Sequence, residues 1–178
     1  VMDDFSKALG DDSYSDLTLR VVRGNDSDYN AWRSGGRETG DCDECGEDCE
    51  AIIRCHRFVL CARSPVFRAM LTNGMQEQST SLINICDVEP NAMKELVRFM
   101  YTDHCECQSV LDDTASLLAA ASKYQVEGLM EYCEEVICSC MNVSSVIDIL
   151  VLADAYAVPD LKKHCVAFII KHAHDIML

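Results

Sequence analysis

The sequence predicts an α+β fold, with a small sheet built early in the chain and a cluster of helices after it. Three observations predict it. Stretches with the two-residue alternation of half-buried strands lie before residue 90, apolar residues at helical spacing dominate after it, and strand and helix nowhere alternate as a doubly wound sheet requires. With 178 residues and 49% hydrophobic content, the chain can bury a substantial core and fits one domain with a helical extension.

The elements follow in order. Residues 5–9 have one-turn apolar spacing, with Asp3 or Asp4 able to cap, and read as a short amphipathic helix whose apolar face needs a partner. Residues 15–22 alternate as a half-buried strand. From residue 23 to about residue 50 aliphatic side chains nearly vanish in favour of Gly, Asp, Asn, Ser, Glu and Cys, the composition of a solvated insertion. Residues 51–55 resume a strand. Ser64 is placed to cap a short apolar helix, Pro65 stands at its first position where a missing N–H costs nothing, and Gly74 closes it.

Residues 81–86 supply another strand, and Pro90 opens a helix whose apolar set is Met93, Leu96, Val97, Met100 and Tyr101. Asp112 or Asp113 is expected to cap a helix carrying Leu117, Leu118 and Ala121, and a further helix is expected over about 125–140. Asn142 can cap the next, with Val146, Ile147, Leu150 and Val151 on its buried side. Pro159 starts a last helix bearing Leu161, Cys165, Phe168 and Ile169.

Charge and cysteine usage narrow the function. Thirty Asp and Glu against 15 Lys and Arg give a formal charge of −15, which repels a phosphate backbone and favours a basic protein partner over nucleic acid. No run reaches the roughly 18 apolar residues of a membrane span, and the acidic start Met2-Asp3-Asp4-Phe5 lacks the basic region of a signal peptide. The expectation is an intracellular protein of the nucleus or cytoplasm. Most of the twelve cysteines then read as reduced, buried thiols, Cys133 and Cys140 among them at helical spacing with Leu129, Met130, Val136 and Ile137. The scattered His104, His164, His172 and His174 form no dyad with a nucleophile, so an enzyme is not expected.

The run from Cys55-His56-Arg57 through Arg63-Ser64-Pro65-Val66-Phe67 to Leu71, followed by Met75-Gln76-Glu77, resembles a BTB/POZ domain. Asp87-Val88-Glu89-Pro90, Tyr101-Thr102, and Leu118-Ala119-Ala120-Ala121 with Lys123-Tyr124 are most similar to the speckle-type, MATH-containing members. The helices after Asn142 resemble the 3-box that begins a BACK region in cullin-3 adaptors. The resemblance implies a BTB/POZ domain over residues 1–140 and a 3-box/BACK-like helical hairpin over 141–178.

It also implies roles for particular residues. Met75-Gln76-Glu77 matches the family's hydrophobic-x-Glu motif, so Met75 is expected to pack on the N-terminal domain of cullin-3 while Glu77 fixes the loop. Tyr101, Asp103 and His104 fall where family members touch the cullin, although Tyr101 has an equal claim on the core. Phe5, Leu9 and Val59 occupy places of the family's homodimer seam. Asp16 and Arg57 match the charged pocket of BTB transcription factors and read here as a structural pair, and His56 reads as a satisfied histidine.

The insertion departs from the family pattern. Cys42-x2-Cys45-x3-Cys49 is followed by Cys55-His56, and three thiolates with Cys55 or His56 can converge on a structural zinc. The crowd of Asp and Glu around these thiols raises their pKa values, so a flexible acidic tether is the other reading. The function expected is a homodimeric adaptor that brings a cullin-3 RING ubiquitin ligase to substrates held by a domain outside this sequence. The alternative is the oligomerisation module of a transcriptional regulator that binds corepressor peptides.

Overall fold

The computed structural model describes residues 7–9, 14–22, 50–72, 81–105 and 111–173. Among them run three strands, β1 (Leu17–Val22), β2 (Glu50–Cys55) and β3 (Leu82–Ile85). Seven helices accompany them: α1 (Arg57–Arg63), α2 (Pro65–Thr72), α3 (Pro90–Thr102), α4 (Leu111–Tyr124), α5 (Glu127–Ser139), α6 (Val146–Ala155) and α7 (Pro159–Lys171). The class is α+β, with every described strand before residue 90 as the patterning predicts. The chain divides into two compact units, Val1–Cys105 and Glu106–Leu178. None of the described helices is long and apolar enough to cross a membrane.

In the first unit β1 is the central strand of a sheet ordered β2-β1-β3. It pairs antiparallel with β2, from Leu17 opposite Cys55 to Val22 opposite Glu50, and parallel with β3, from Thr18 opposite Leu82 to Val21 opposite Ile85. This register sends Leu17, Leu19 and Val21 inward together with Ala51, Ile53, Cys55, Ile83 and Ile85. A one-residue slip would turn the whole apolar set outward, which is why β1 and β2 align without a fault across a long intervening segment. Helix α3 covers β1 and β2, burying Met93, Leu96, Val97, Met100 and Tyr101 as their spacing predicts.

Ser64 separates α1 from α2 and serves both. Its N–H donates to the Leu60 carbonyl at 2.9 Å, ending α1, and its buried Oγ accepts the Phe67 N–H at 3.1 Å, capping α2. Arg68 reaches back from α2 to the last carbonyls of α1, with Nε 2.8 Å from the oxygen of Cys61. Gly74, expected to close this helix, lies outside the described residues, as do Asp3, Asp4 and Phe5.

The second unit corrects four sequence expectations. Helix α4 begins at Leu111, so Asp112 and Asp113 stand inside its first turn and not at the cap position before it. Gln125 is outside α5, at φ 53° in the turn before it. On α6 the buried stripe is Val146, Ile149 and Ala153, leaving Ile147 and Val151 exposed and Leu150 half-buried. Helix α6 is apolar nearly all round, so periodicity could not choose its inner face. Asn142 stands before the cap position of α6, which is Ser145, and instead closes the turn that leads into it: its Oδ1 accepts the N–H groups of Ser144 and Ser145, both at 2.9 Å, and its carbonyl takes the Val146 N–H at 3.0 Å. Cys133 is fully buried as expected, while Cys140 is half-buried at the end of α5.

The helix hairpins α4–α5 and α6–α7 turn in the same way. At the first turn the Val126 N–H reaches the Ala121 carbonyl and the Gln125 N–H that of Ser122; at the second, Val158 reaches Ala153 and Ala157 reaches Asp154. Both are Schellman closures. The sequences repeat accordingly: Tyr124-Gln125-Val126 and Leu129, Cys133 match Tyr156-Ala157-Val158 and Leu161, Cys165. Neither left-handed position carries glycine, although a Cβ is strained there. Gln125→Gly and Ala157→Gly are therefore each expected to stabilise the protein by about 0.5–1 kcal/mol in denaturant melts; a loss of stability would contradict the strain argument.

Candidate functional site

The start of α1 is tied to the sheet by three groups that the sequence brings from far apart. Asp16, just before β1, accepts the backbone N–H of Arg57 with its carboxylate at 2.8 Å, which caps α1 from outside the helix. The His56 N–H donates to the Tyr101 hydroxyl at 2.8 Å, and His56 Nδ1 lies 2.9 Å from the same oxygen. Burial holds the Tyr101 phenol well above its ordinary pKa, with the His56 hydrogen bond acting the other way. Asp16 and Arg57 thus meet through carboxylate and backbone amide, a contact that joins strand to helix. Tyr101 is 2% exposed and its hydroxyl closes the same junction from α3.

The loop after α3 projects from this junction. Asp103 takes a left-handed conformation, φ 51°, its N–H bonded to the Phe99 carbonyl at 2.9 Å. Its carboxylate pairs with the Arg63 guanidinium at the end of α1. The Thr102 hydroxyl accepts the His104 N–H at 3.2 Å and lies 2.9 Å from the Arg98 carbonyl. Asp103 and His104 are held outward, a polar ridge pinned at both ends, while Tyr101 faces the core. Met75 and Glu77 lie outside the described residues; α2, which leads to them, is fixed by Ser64 and by the buried Phe67 and Leu71.

Of the seam residues, Leu9 is half-buried, Val59 is buried at 8% exposure inside its own chain, and Phe5 lies outside the described residues. The side chain that α1 turns outward is Phe58, 74% exposed, with Ile52 of β2 and Tyr14 also open to solvent. Sequence reasoning missed Phe58. The signal was there, because Phe58-Val59-Leu60-Cys61 is apolar on every side and a short helix of that kind needs cover on both faces. A groove of ≈ 700 Å³ runs beside Leu9, floored by Ile52 and Ile53 and edged by Arg54, Lys94, Glu95 and Arg98.

Cys55 is a poor zinc ligand in this setting. Its thiol faces the core and donates to the Leu17 carbonyl at 3.5 Å; burial, aided by Asp16 and opposed by Arg57, pushes its pKa up to about 12. That side chain is fully buried and turned toward the sheet. Cys42, Cys45 and Cys49 lie outside the described residues, and among those described no group of three or more His, Cys, Asp or Glu is placed to hold a metal ion.

Two comparisons bear on this surface. Over 137 residues, 72% of this chain, the sequence is 36% identical to TD and POZ domain-containing protein 4 of Mus musculus. The chain spans 36% of that relative's length. The family model of the BTB/POZ domain matches residues 44–141, more than half of the chain and including α1, the Asp103 loop and the hairpin α4–α5. The α+β architecture, the double helix start at Ser64 and the family match agree: the chain belongs to the BTB/POZ domain family, a family of protein-interaction modules.

Proposed function

We propose that this chain acts as a homodimeric, non-catalytic adaptor, of the MATH-BTB kind, that recruits a cullin-3 RING ubiquitin ligase to substrates bound by a domain outside this sequence. The observation that carries the reading is the apolar face left open on α6 and α7. Ile147, Val151, Val166 and Ile170 are all exposed, Val151 at 64% and Ile170 at 72%, in the two helices that follow the BTB/POZ match. Large apolar side chains left exposed one turn apart on each of two neighbouring helices are the mark of an interaction surface. Residues 141–178 then form the 3-box-like extension and residues 1–140 the BTB/POZ domain proper. On this reading Met75 and Glu77 engage the cullin together with the outward Asp103 and His104, while Tyr101 supports them from the core. The three insertion cysteines keep the structural-zinc proposal among themselves, with His56 turned instead to Tyr101.

Calorimetry against purified cullin-3 N-terminal domain tests this. Met75→Ala is expected to cost about 1–3 kcal/mol, weakening binding roughly tenfold or more, and removal of residues 142–178 is expected to weaken it further. Each variant is first checked to be folded and dimeric. No binding of the unaltered protein at tens of micromolar would overturn the adaptor reading and favour the corepressor-binding alternative, for which the groove beside Leu9 is the available surface.

A further inference from the structure

Strand β2 is an edge of the sheet, with β1 on one side and no described strand on the other. The groove beside Leu9 runs along that edge. Ile52 and Ile53 are neighbours in one strand, so their side chains point to opposite faces, and a groove that touches both follows the strand's open side. Its other wall is the middle of α3, which supplies Lys94, Glu95 and Arg98. An edge strand offers the N–H and C=O groups of alternate residues to an added chain.

The charge of the groove is the reverse of the chain's. The whole sequence has 30 Asp and Glu against 15 Lys and Arg, two acids for each base. The described lining of the groove has Arg54, Lys94 and Arg98 against Glu95 alone. That one carboxylate is itself engaged, with Oε1 3.6 Å from the Arg98 guanidinium and Oε2 3.7 Å from the Cys105 thiol. Lys94 and Arg98 stand one turn apart on α3, while the exposed Arg54 lies on β2 on the same face as Ile52, which is 65% exposed. The two walls therefore select different side chains. Residues of an added strand alternate in direction, so those turned to α3 meet Lys94 and Arg98 and those turned the other way lie beside Ile52.

We propose that the edge of β2 and the facing side of α3 form a docking groove for an extended, acidic segment of a partner protein. The segment adds to β2 as a strand, turns carboxylates to Lys94 and Arg98, lays alternate apolar side chains on Ile52, and gives a further carboxylate to Arg54. A phosphate backbone is the other polyanion, but a chain of net charge −15 repels it, and it has no apolar groups for Ile52. The groove belongs wholly to the first unit and shares no residue with α6 or α7, so the proposal stands or falls apart from cullin binding.

The test uses the full chain and, as probe, a short fluorescein-labelled peptide that alternates valine and aspartate, followed by fluorescence anisotropy. Binding on the order of tens of micromolar is expected, several-fold weaker in about 0.5 M salt. A peptide with lysine in place of aspartate, and one with its valines and aspartates in separate blocks, should each bind about tenfold more weakly. Lys94→Glu, Arg54→Glu and Ile52→Asp alter exposed side chains and should each weaken binding about fivefold to tenfold with unchanged circular dichroism, while Lys171→Glu on α7 leaves it within about twofold. N-methylation of alternate peptide residues should abolish binding in one phase and spare it in the other, as pairing along a single strand edge requires. No binding of the probe, equal binding by Lys94→Glu and Arg54→Glu, or equal binding of both N-methylated peptides overturns the site. So does a loss of self-association by these variants in light scattering without peptide, which gives the groove to a second copy. Probe binding seen only after Asp41, Asp43, Glu44, Glu47 and Asp48 are neutralised also overturns it, giving the groove to the chain's own acidic segment.

Discussion

On the proposed homodimer reading, a Phe58→Asp variant will run as a monomer at concentrations where the unaltered protein self-associates. Phe58 is 74% exposed while its neighbours Val59 and Leu60 are buried, so the substitution leaves the inner face of α1 and the fold intact. An aromatic ring of that size costs free energy in water and gains it by insertion into a partner. In a two-fold symmetric seam each substitution enters twice. At about 2 kcal/mol per copy the loss is about 4 kcal/mol, roughly a thousandfold in Kd. Leu9→Asp, beside the groove over β2, should act in the same direction. Light scattering and sedimentation read the mass, and a melt confirms the fold. A Phe58→Asp protein that stays dimeric with unchanged affinity removes the outer face of α1 from the seam.

Much of this architecture is legible in the sequence because elementary rules act there without competition. The alternation over 17–22, the Ser64-Pro65 cap and the stripe of Met93, Leu96, Val97, Met100 and Tyr101 each point to one burial pattern, and each is buried in that pattern. The α6 stripe was not legible, since Val-Ile-Asp-Ile-Leu-Val-Leu-Ala is apolar on several faces and only packing against α7 selects Val146, Ile149 and Ala153. Nor were the turns at Gln125 and Ala157, because both lack the glycine that normally announces a left-handed residue. At the candidate site, Asp16 and Arg57 were legible as a pair, but not that the contact uses the Arg57 backbone amide. The Cys138–His164 contact joins residues on different helices and has no local signature at all.

Alkaline pH will destabilise the first unit through Cys55, and steeply. Its buried thiol is pushed up to about 12 from an ordinary 9.0, with burial the main cause. Below pH 9 folded and unfolded chains both keep the proton, and the stabilising effect of the neutral buried thiol is fully present. Above pH 9 the unfolded chain loses its proton while the folded chain does not, so stability falls by about 1.4 kcal/mol per pH unit until about pH 12. Over two units that is about 3 kcal/mol, a large part of the roughly 5–15 kcal/mol that a domain has in total. Tyr101, raised above its ordinary 10.0 by burial, adds to the loss from about pH 10 upward. Denaturant melts between pH 7 and 11 on the unaltered protein, Cys55→Ala and Tyr101→Phe separate the two. Cys55→Ala should lower stability at pH 7 through lost packing yet flatten the decline between pH 9 and 11. Tyr101→Phe should cost about 1–3 kcal/mol already at pH 7, because the His56 N–H loses its 2.8 Å partner. If the unaltered protein and Cys55→Ala decline in parallel above pH 9, the thiol is not held neutral by the fold.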